Sequence, residues 1–128
     1  MDEIKRPMVS LFVNRNYVQR ENILAGIITG TIRPEFRDYR EGDLLILCCP
    51  DKLWIVDAKI KSVRHCLANQ LNLEECKTVG YKSLEETMER LKKYYPNIKN
   101  TTPVTYINWT GLRGKVVDRY YSRIKKTI

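Results

Sequence analysis

Leu24-Ala25-Gly26-Ile27-Ile28-Thr29-Gly30-Thr31-Ile32-Arg33, followed after a short charged segment by Glu41-Gly42-Asp43 and the apolar run Leu44 to Cys49, is the stretch on which the fold turns. Tyr17 to Ala25 has apolar residues at Tyr17, Ile23 and Leu24, and Gly26 stands where a short helix would end in the left-handed conformation. Thr29 to Arg33 then alternates as a strand does, with Thr29, Thr31 and Arg33 on one face and Gly30 and Ile32 on the other. Pro34 stops the strand because it has no backbone donor to continue a ladder. Pro34 to Gly42 sets Arg37 and Arg40 among Glu35, Asp38 and Glu41, the composition of a surface loop. Leu44 to Cys49 is apolar on both faces, which predicts a strand in the middle of a closed or covered sheet.

Outward from this stretch, Met8 to Val13 reads as a first strand, with turn chemistry at Asn14 to Asn16. Pro50-Asp51-Lys52 turns the chain into a long strand from Leu53 to about His65. On it Trp54, Val56, Ala58 and Ile60 share a buried face, and Asp57, Lys59 and Lys61 a wet one. A weak helical stretch, Leu71 to Val79, precedes a clearer helix. Ser83-Leu84-Glu85-Glu86 is a capping box, Leu84, Met88, Leu91 and Tyr95 follow at helical spacing, and Pro96 ends the segment. Pro103 to Trp109 alternates as a last strand, after which Gly111 to Gly114 releases the chain. The order β-α-β-β-β-α-α-β predicts an α+β fold, a small mixed β-barrel with packed helices over residues 1–110, and a basic tail over 111–128.

At 128 residues, 43% hydrophobic and 30% charged, the chain fits one packed domain and excludes global disorder. A net charge of +8 either draws polyanions or simply keeps the protein soluble. Arg113, Lys115, Arg119, Arg123, Lys125 and Lys126 against Asp118 place five net positive charges after Gly111. Tail residues Val116, Val117, Tyr120, Tyr121 and Ile124 can share one side of a short helix ringed by those cations. That arrangement suits an RNA backbone and its bases, or equally an appendage packed on the domain.

Cys48, Cys49, Cys66 and Cys76 show no C-x-x-C spacing and His65 is the single histidine, so neither a metal site nor another cofactor is called for. The cysteines read as small buried hydrophobes and His65 as structural. The sequence shows no signal-peptide core and no run of about 18 apolar residues, which predicts a cytoplasmic protein with reduced thiols and no membrane contact. A monomer is favoured, with the oligomeric state open.

Gly26, Thr31, Arg33, Gly42 and Asp43 resemble the ASCH (activating-signal-cointegrator homology) motif of the PUA-like superfamily, Gly-x-Lys-x-x-Thr-x-Arg and then Gly-Asp before a buried strand. The resemblance runs from about Met8 to Trp109, and Tyr81-Lys82-Ser83-Leu84-Glu85-Glu86 up to Tyr95-Pro96 is a looser match to the family's late helix. It implies a PUA-like barrel that binds RNA or a nucleotide-like ligand in a cleft beside the motif strand. The small acetylcytidine amidohydrolases are similar around Ile23 to Arg33, and their proposed site joins the motif lysine, the motif threonine as nucleophile and a glutamate ahead of the capping box. Here Ile28 replaces the lysine, and the glutamate position falls near Gly80. A threonine hydroxyl attacks only when a neighbouring base takes its proton. If the chain were a hydrolase of modified cytidine or RNA, Thr31 and Glu75 would be its catalytic residues.

The reading favoured by the sequence is recognition without chemistry. Thr29, Thr31 and Arg33 would line the cleft, with Arg37, Arg40, Lys59, Lys61, Arg113, Lys115, Arg119 and Arg123 supplying cations for phosphate. Arg33 could equally be a structural partner for Asp43 or Asp57. Trp54 and Trp109 can stack on bases but, on barrel strands, belong more naturally to the core. A protein-interaction module in a transcription or translation complex is a further alternative.

Overall fold

The computed structural model describes the backbone of residues 9–12, 22–49 and 54–113, and the side chains of 22–47 and 57–110. The turn readings at Asn14–Asn16 and Pro50–Lys52, the first part of the early helix and the tail after Arg113 lie outside the described residues.

Five strands form one sheet: β1 (Val9–Phe12), β2 (Gly30–Pro34), β3 (Leu44–Cys49), β4 (Trp54–Leu67) and β5 (Pro103–Arg113), in the order β1-β3-β4-β5-β2. β1 runs parallel to β3, and the other neighbours are antiparallel. Two helices, α1 (Leu73–Val79) and α2 (Leu84–Tyr94), lie between β4 and β5 in sequence, after a 3-10 turn at Ala68–Gln70. Only the last turn of the early helix, 22–24, is described, and Gly26 follows it with φ +76°, as its position predicts.

The barrel expectation is corrected. Among the described residues the edge strands β1 and β2 make no ladder with each other, so the sheet stays open. Beside the start of β2 the edge is covered by helix, because the Thr29 amide donates to the Thr78 carbonyl (2.9 Å) just before α1 ends. At its other end Pro34 has no amide to offer.

Each face of the sheet carries its own apolar cluster. On one side Leu45, Leu47, Ala58, Ile60, Ile107 and Trp109 pack with Ile23 and Ile28. On the other, Ile32, Cys66, Val104 and Tyr106 pack beneath Cys76, Met88 and Leu91 of the helices. Leu45 and Leu47 are fully enclosed, each contributing about 1.5–3 kcal/mol by burial. β3 is not covered on both faces as expected: Leu44, paired with Lys59, is 48% exposed, because the helices reach only the far half of the sheet. Trp109, Cys66 and Cys76 are core residues, as the sequence predicts, and the side chain of Trp54 lies outside the described set.

β5 does not end at Trp109. It continues through Gly111 to Arg113, opposite Asp57, and the β4–β5 register shifts between Asp57 and Lys59 and shifts back between Ile60 and Ser62. The early strand and both late helices fall close to their expected bounds. The Ser83 cap differs in one bond: its hydroxyl accepts from the Glu86 amide (3.1 Å), but the Glu86 carboxylate takes the amide of Lys82 (2.9 Å) rather than that of Ser83.

Candidate functional site

The motif strand enters the sheet through a fixed corner. The Asn22 carbonyl accepts from the amides of both Ile27 (2.9 Å) and Ile28 (3.1 Å), which turns the Ile28 side chain into the core, where it is 3% exposed. α1 ends beside it at Gly80, whose φ of +103° is left-handed and whose amide donates to the carbonyls of Cys76 and Lys77. A Cβ on Gly80 would lie 3.0 Å from Ile28 Cδ1 and 3.1 Å from its Cγ1. The two positions at which the chain departs from the amidohydrolase pattern are therefore in contact. Where the amidohydrolase pattern has a lysine and an acid, this chain has a buried apolar side chain against a bare α-carbon.

Gly30 follows in an equally filled space. A Cβ there would meet the Ile107 carbonyl oxygen at 2.9 Å, Thr78 Oγ1 at 3.1 Å and Tyr106 Cε2 at 3.2 Å. The hydroxyls of Thr78 and Tyr106 are hydrogen-bonded to each other. Thr78 also donates to the Glu75 carbonyl (2.8 Å), so Tyr106 donates to Thr78 and in turn accepts from Asn108 Nδ2 (3.2 Å).

Thr31 is buried opposite Ile107, whereas Glu75 sits on the other side of the sheet with Arg64, opposite Tyr106. The sheet separates this pair, and Glu75 already has structural work. It closes a capping box with Asn72, the Asn72 amide reaching Glu75 Oε1 (2.9 Å) and Asn72 Oδ1 accepting from the Glu75 amide (2.8 Å). Arg64 binds the same carboxylate oxygen and also the Gln70 carbonyl (3.1 Å), and the bond to Glu75 raises its pKa.

The remaining residues named from the sequence are not gathered into one cleft. Arg37 and Arg40 lie in the loop after β2. The Arg37 amide donates to Thr105 Oγ1 (2.8 Å) and its Nε to the Pro34 carbonyl (3.1 Å), while Arg40 pairs with Asp38 (3.2 Å) on the open surface. His65 pins this loop, its Nε2 donating to the Arg37 carbonyl (2.8 Å) with its ring 5.2 Å from that of Phe36. Gly42 (φ +84°) and Asp43 close the loop, the Asp43 carboxylate accepting from the Arg40 amide (3.1 Å). Lys59 and Lys61 are exposed on the face of β4 that carries Asp57. Arg113 is described by backbone alone, and Lys115, Arg119 and Arg123 lie outside the described residues.

At the far end of β2 the surroundings change. Arg33 donates to the Tyr95 hydroxyl (3.5 Å) and lies close enough to Tyr81 to act on its phenol, as do Tyr94, Arg90 and Glu86. Burial is the main cause that holds the Tyr81 pKa above its ordinary value. Glu86, Arg90 and Tyr94 recur every fourth residue of α2, so they form one stripe beside the edge of β2, with Tyr94 half exposed. Tyr81, Arg90 and Tyr94 are not among the site residues that the sequence suggests, although Tyr81 opens the late-helix match and the spacing Glu86-Arg90-Tyr94 is visible there. What the sequence lacks is the chain path that lays the α1–α2 linker along the motif strand.

Among the described residues no group of three histidine, cysteine or acidic side chains could hold a metal ion, and no helix is long and apolar enough to cross a membrane.

The open, mostly antiparallel sheet, the glycine-rich entry to its edge strand and the two late helices on one face together resemble solved ASCH domains in fold. Among solved structures, the ASCH domain from Lactobacillus crispatus JV V101 matches with a TM-score of 0.66 at 18% identity, over 86% of this chain and 79% of that one. ASCH from Zymomonas mobilis matches with 0.58 at 11% identity, over 81% and 66%. A protein from Enterococcus faecalis V583 matches with 0.59 at 14%, over 88% and 82%. No protein-family model and no curated protein matches the sequence. The likeness is therefore one of fold.

Proposed function

We propose that this chain is an ASCH-family domain that binds RNA or a nucleotide-like ligand beside its motif strand and performs no hydrolysis there. The observation that carries the reading is the contact of Ile28 with Gly80. The position at which the amidohydrolase pattern would supply a base is the buried Ile28, and Glu75 is across the sheet from Thr31, held by Arg64 and Asn72. What the motif strand retains is a cation at its outer end, Arg33, close to phenols, the combination that phosphate and base recognition uses. The positive charge of the whole chain supports the same reading.

The test is a titration of the full chain with single-stranded, double-stranded and transfer RNA at two salt concentrations. Binding that weakens with salt is expected, together with no release of acetate from acetylcytidine. No binding to any of the three at low salt would refute the recognition reading. Acetylcytidine hydrolysis abolished by Thr31→Ala would refute the non-catalytic one.

A further inference from the structure

We infer that Arg33, Tyr81, Arg90, Tyr94 and Tyr95 form a binding patch for single-stranded RNA on the outer side of β2, in place of a cleft at the strand's start. The inference rests on the RNA-binding reading above and adds where the strand is held and which form of RNA is taken.

Its first support is geometric. Arg33 reaches across the end of β2 to the Tyr95 hydroxyl, which ties the motif strand to the end of α2. Arg90 and Tyr94, one helical turn apart at about 6 Å along the axis, present a guanidinium and a phenol side by side on the same stripe. Tyr81, on the linker between the helices, lies within the electrostatic reach of Arg33, Arg90 and Tyr94 together, so these groups share one neighbourhood. Tyr94 is 50% exposed, and Arg90 is exposed beside it. Lys92 and Lys93 add charge in the last turn. Of the three acids on α2, Glu85, Glu86 and Glu89, the one on the stripe, Glu86, has a carboxylate oxygen engaged by the Lys82 amide (2.9 Å).

The second support is chemical. Two guanidiniums suit phosphate oxygens, and an exposed phenol ring offers a flat apolar face on which an unpaired base can stack. A duplex hides its base faces between neighbouring pairs, so it can use the arginines but not the tyrosine. Alternation of guanidinium and phenol over a short distance thus favours a single strand. The start of β2 has nothing comparable, since Ile28 is buried and the space around Gly30 is filled.

Fluorescence anisotropy with the full chain tests this, using a labelled single-stranded twelve-nucleotide RNA and a labelled RNA duplex of equal length (chosen as about one turn of duplex) at low salt. Tyr94→Ala is expected to weaken single-strand binding about fivefold to a hundredfold, the range of a lost base stack, and to leave duplex binding unchanged. Arg90→Gln is expected to weaken both and to reduce the salt dependence of each. Thermal unfolding confirms that either surface variant remains folded. Single-strand binding by the parent chain that both variants retain in full would overturn the patch while leaving the RNA reading intact. Loss of binding on Arg119→Gln with Arg123→Gln, but not on Tyr94→Ala, would likewise overturn it by assigning the strand to the tail. Failure of the parent chain to bind either RNA would overturn the underlying reading and the patch with it.

Discussion

Where β2 begins, Ile28 lies buried against Gly80, and Ile107, Thr78 and Tyr106 fill the space around Gly30. Where it ends, Arg33 turns its guanidinium to the Tyr95 hydroxyl, with Tyr81, Tyr94 and Arg90 close by. Both ends belong to the stretch from Ile28 through the five-residue strand, yet the first is occupied by packing and the second by polar groups with access to solvent. The difference shows how a scaffold can keep a motif's backbone while changing its chemistry. In this chain Gly26, Gly30 and Gly42-Asp43 serve turns and a close approach, whereas Ile28 packs against what the end of α1 places opposite it.

If the start of β2 is structural, substitutions there should cost stability in proportion to the contacts they break. Ile28→Ala removes a core side chain beside a glycine that cannot fill the gap, and should lower the unfolding free energy by about 2–5 kcal/mol in chemical denaturation. Gly30→Ala brings a Cβ to 2.9 Å from a backbone oxygen that the sheet holds in place, so a loss of about 1–3 kcal/mol is expected by the same measurement. Gly80→Ala puts a side chain on a left-handed residue and should cost about 1–2 kcal/mol. Part of that cost comes from the 3.0 Å approach to Ile28, so it should shrink in an Ile28→Ala background; equal costs in both backgrounds would show that the two sites do not interact. At the other end Tyr94→Ala, on the surface, should change stability by no more than about 0.5 kcal/mol, so that its effect is confined to binding.

The smallest effect is a pH dependence. Burial raises the Cys66 thiol above its ordinary value of 9.0 and Tyr81 above 10.0, with Arg64 opposing the first shift and Glu75 adding to it. In both cases folding favours the neutral form. The stability this contributes is complete below the ordinary values and is lost as pH rises through the raised ones. Denaturation midpoints should fall across the alkaline range, and Cys66→Ala should remove the part of the slope that begins near pH 9.0.

Much of the fold can be read from local pattern. The glycine that ends the early helix, the strand stopped by Pro34, the Ser83 cap and the Leu84-Met88-Leu91 stripe all act within a few residues, and each is found where its chemistry predicts. Barrel closure was not legible, because it depends on whether two strands far apart in sequence meet. The exposure of Leu44 is not visible either, since an apolar run does not reveal how far the helices extend over the sheet. For the site, Ile28 and Gly80 could each be named as departures from a pattern, but their contact is a tertiary fact. Glu75 reads as a possible acid in the sequence because neither its Asn72 cap nor its Arg64 partner, eleven residues away, is visible in local pattern. Thr31, Arg33, Arg37 and Lys59 share a polar character that suggests one surface, yet strand register, a loop pinned by His65 and the edge position of β2 distribute them around the sheet.

The most direct measurement of the contrast is a titration of isotope-labelled full-length protein with single-stranded RNA, followed by amide chemical shifts. Shifts are expected to concentrate at Arg33, Tyr81, Arg90 and Tyr94, with Ile28, Gly30, Thr31 and Gly80 little changed. Shifts centred on Ile28, Thr31 and Gly80, with the tyrosine edge silent, would contradict it.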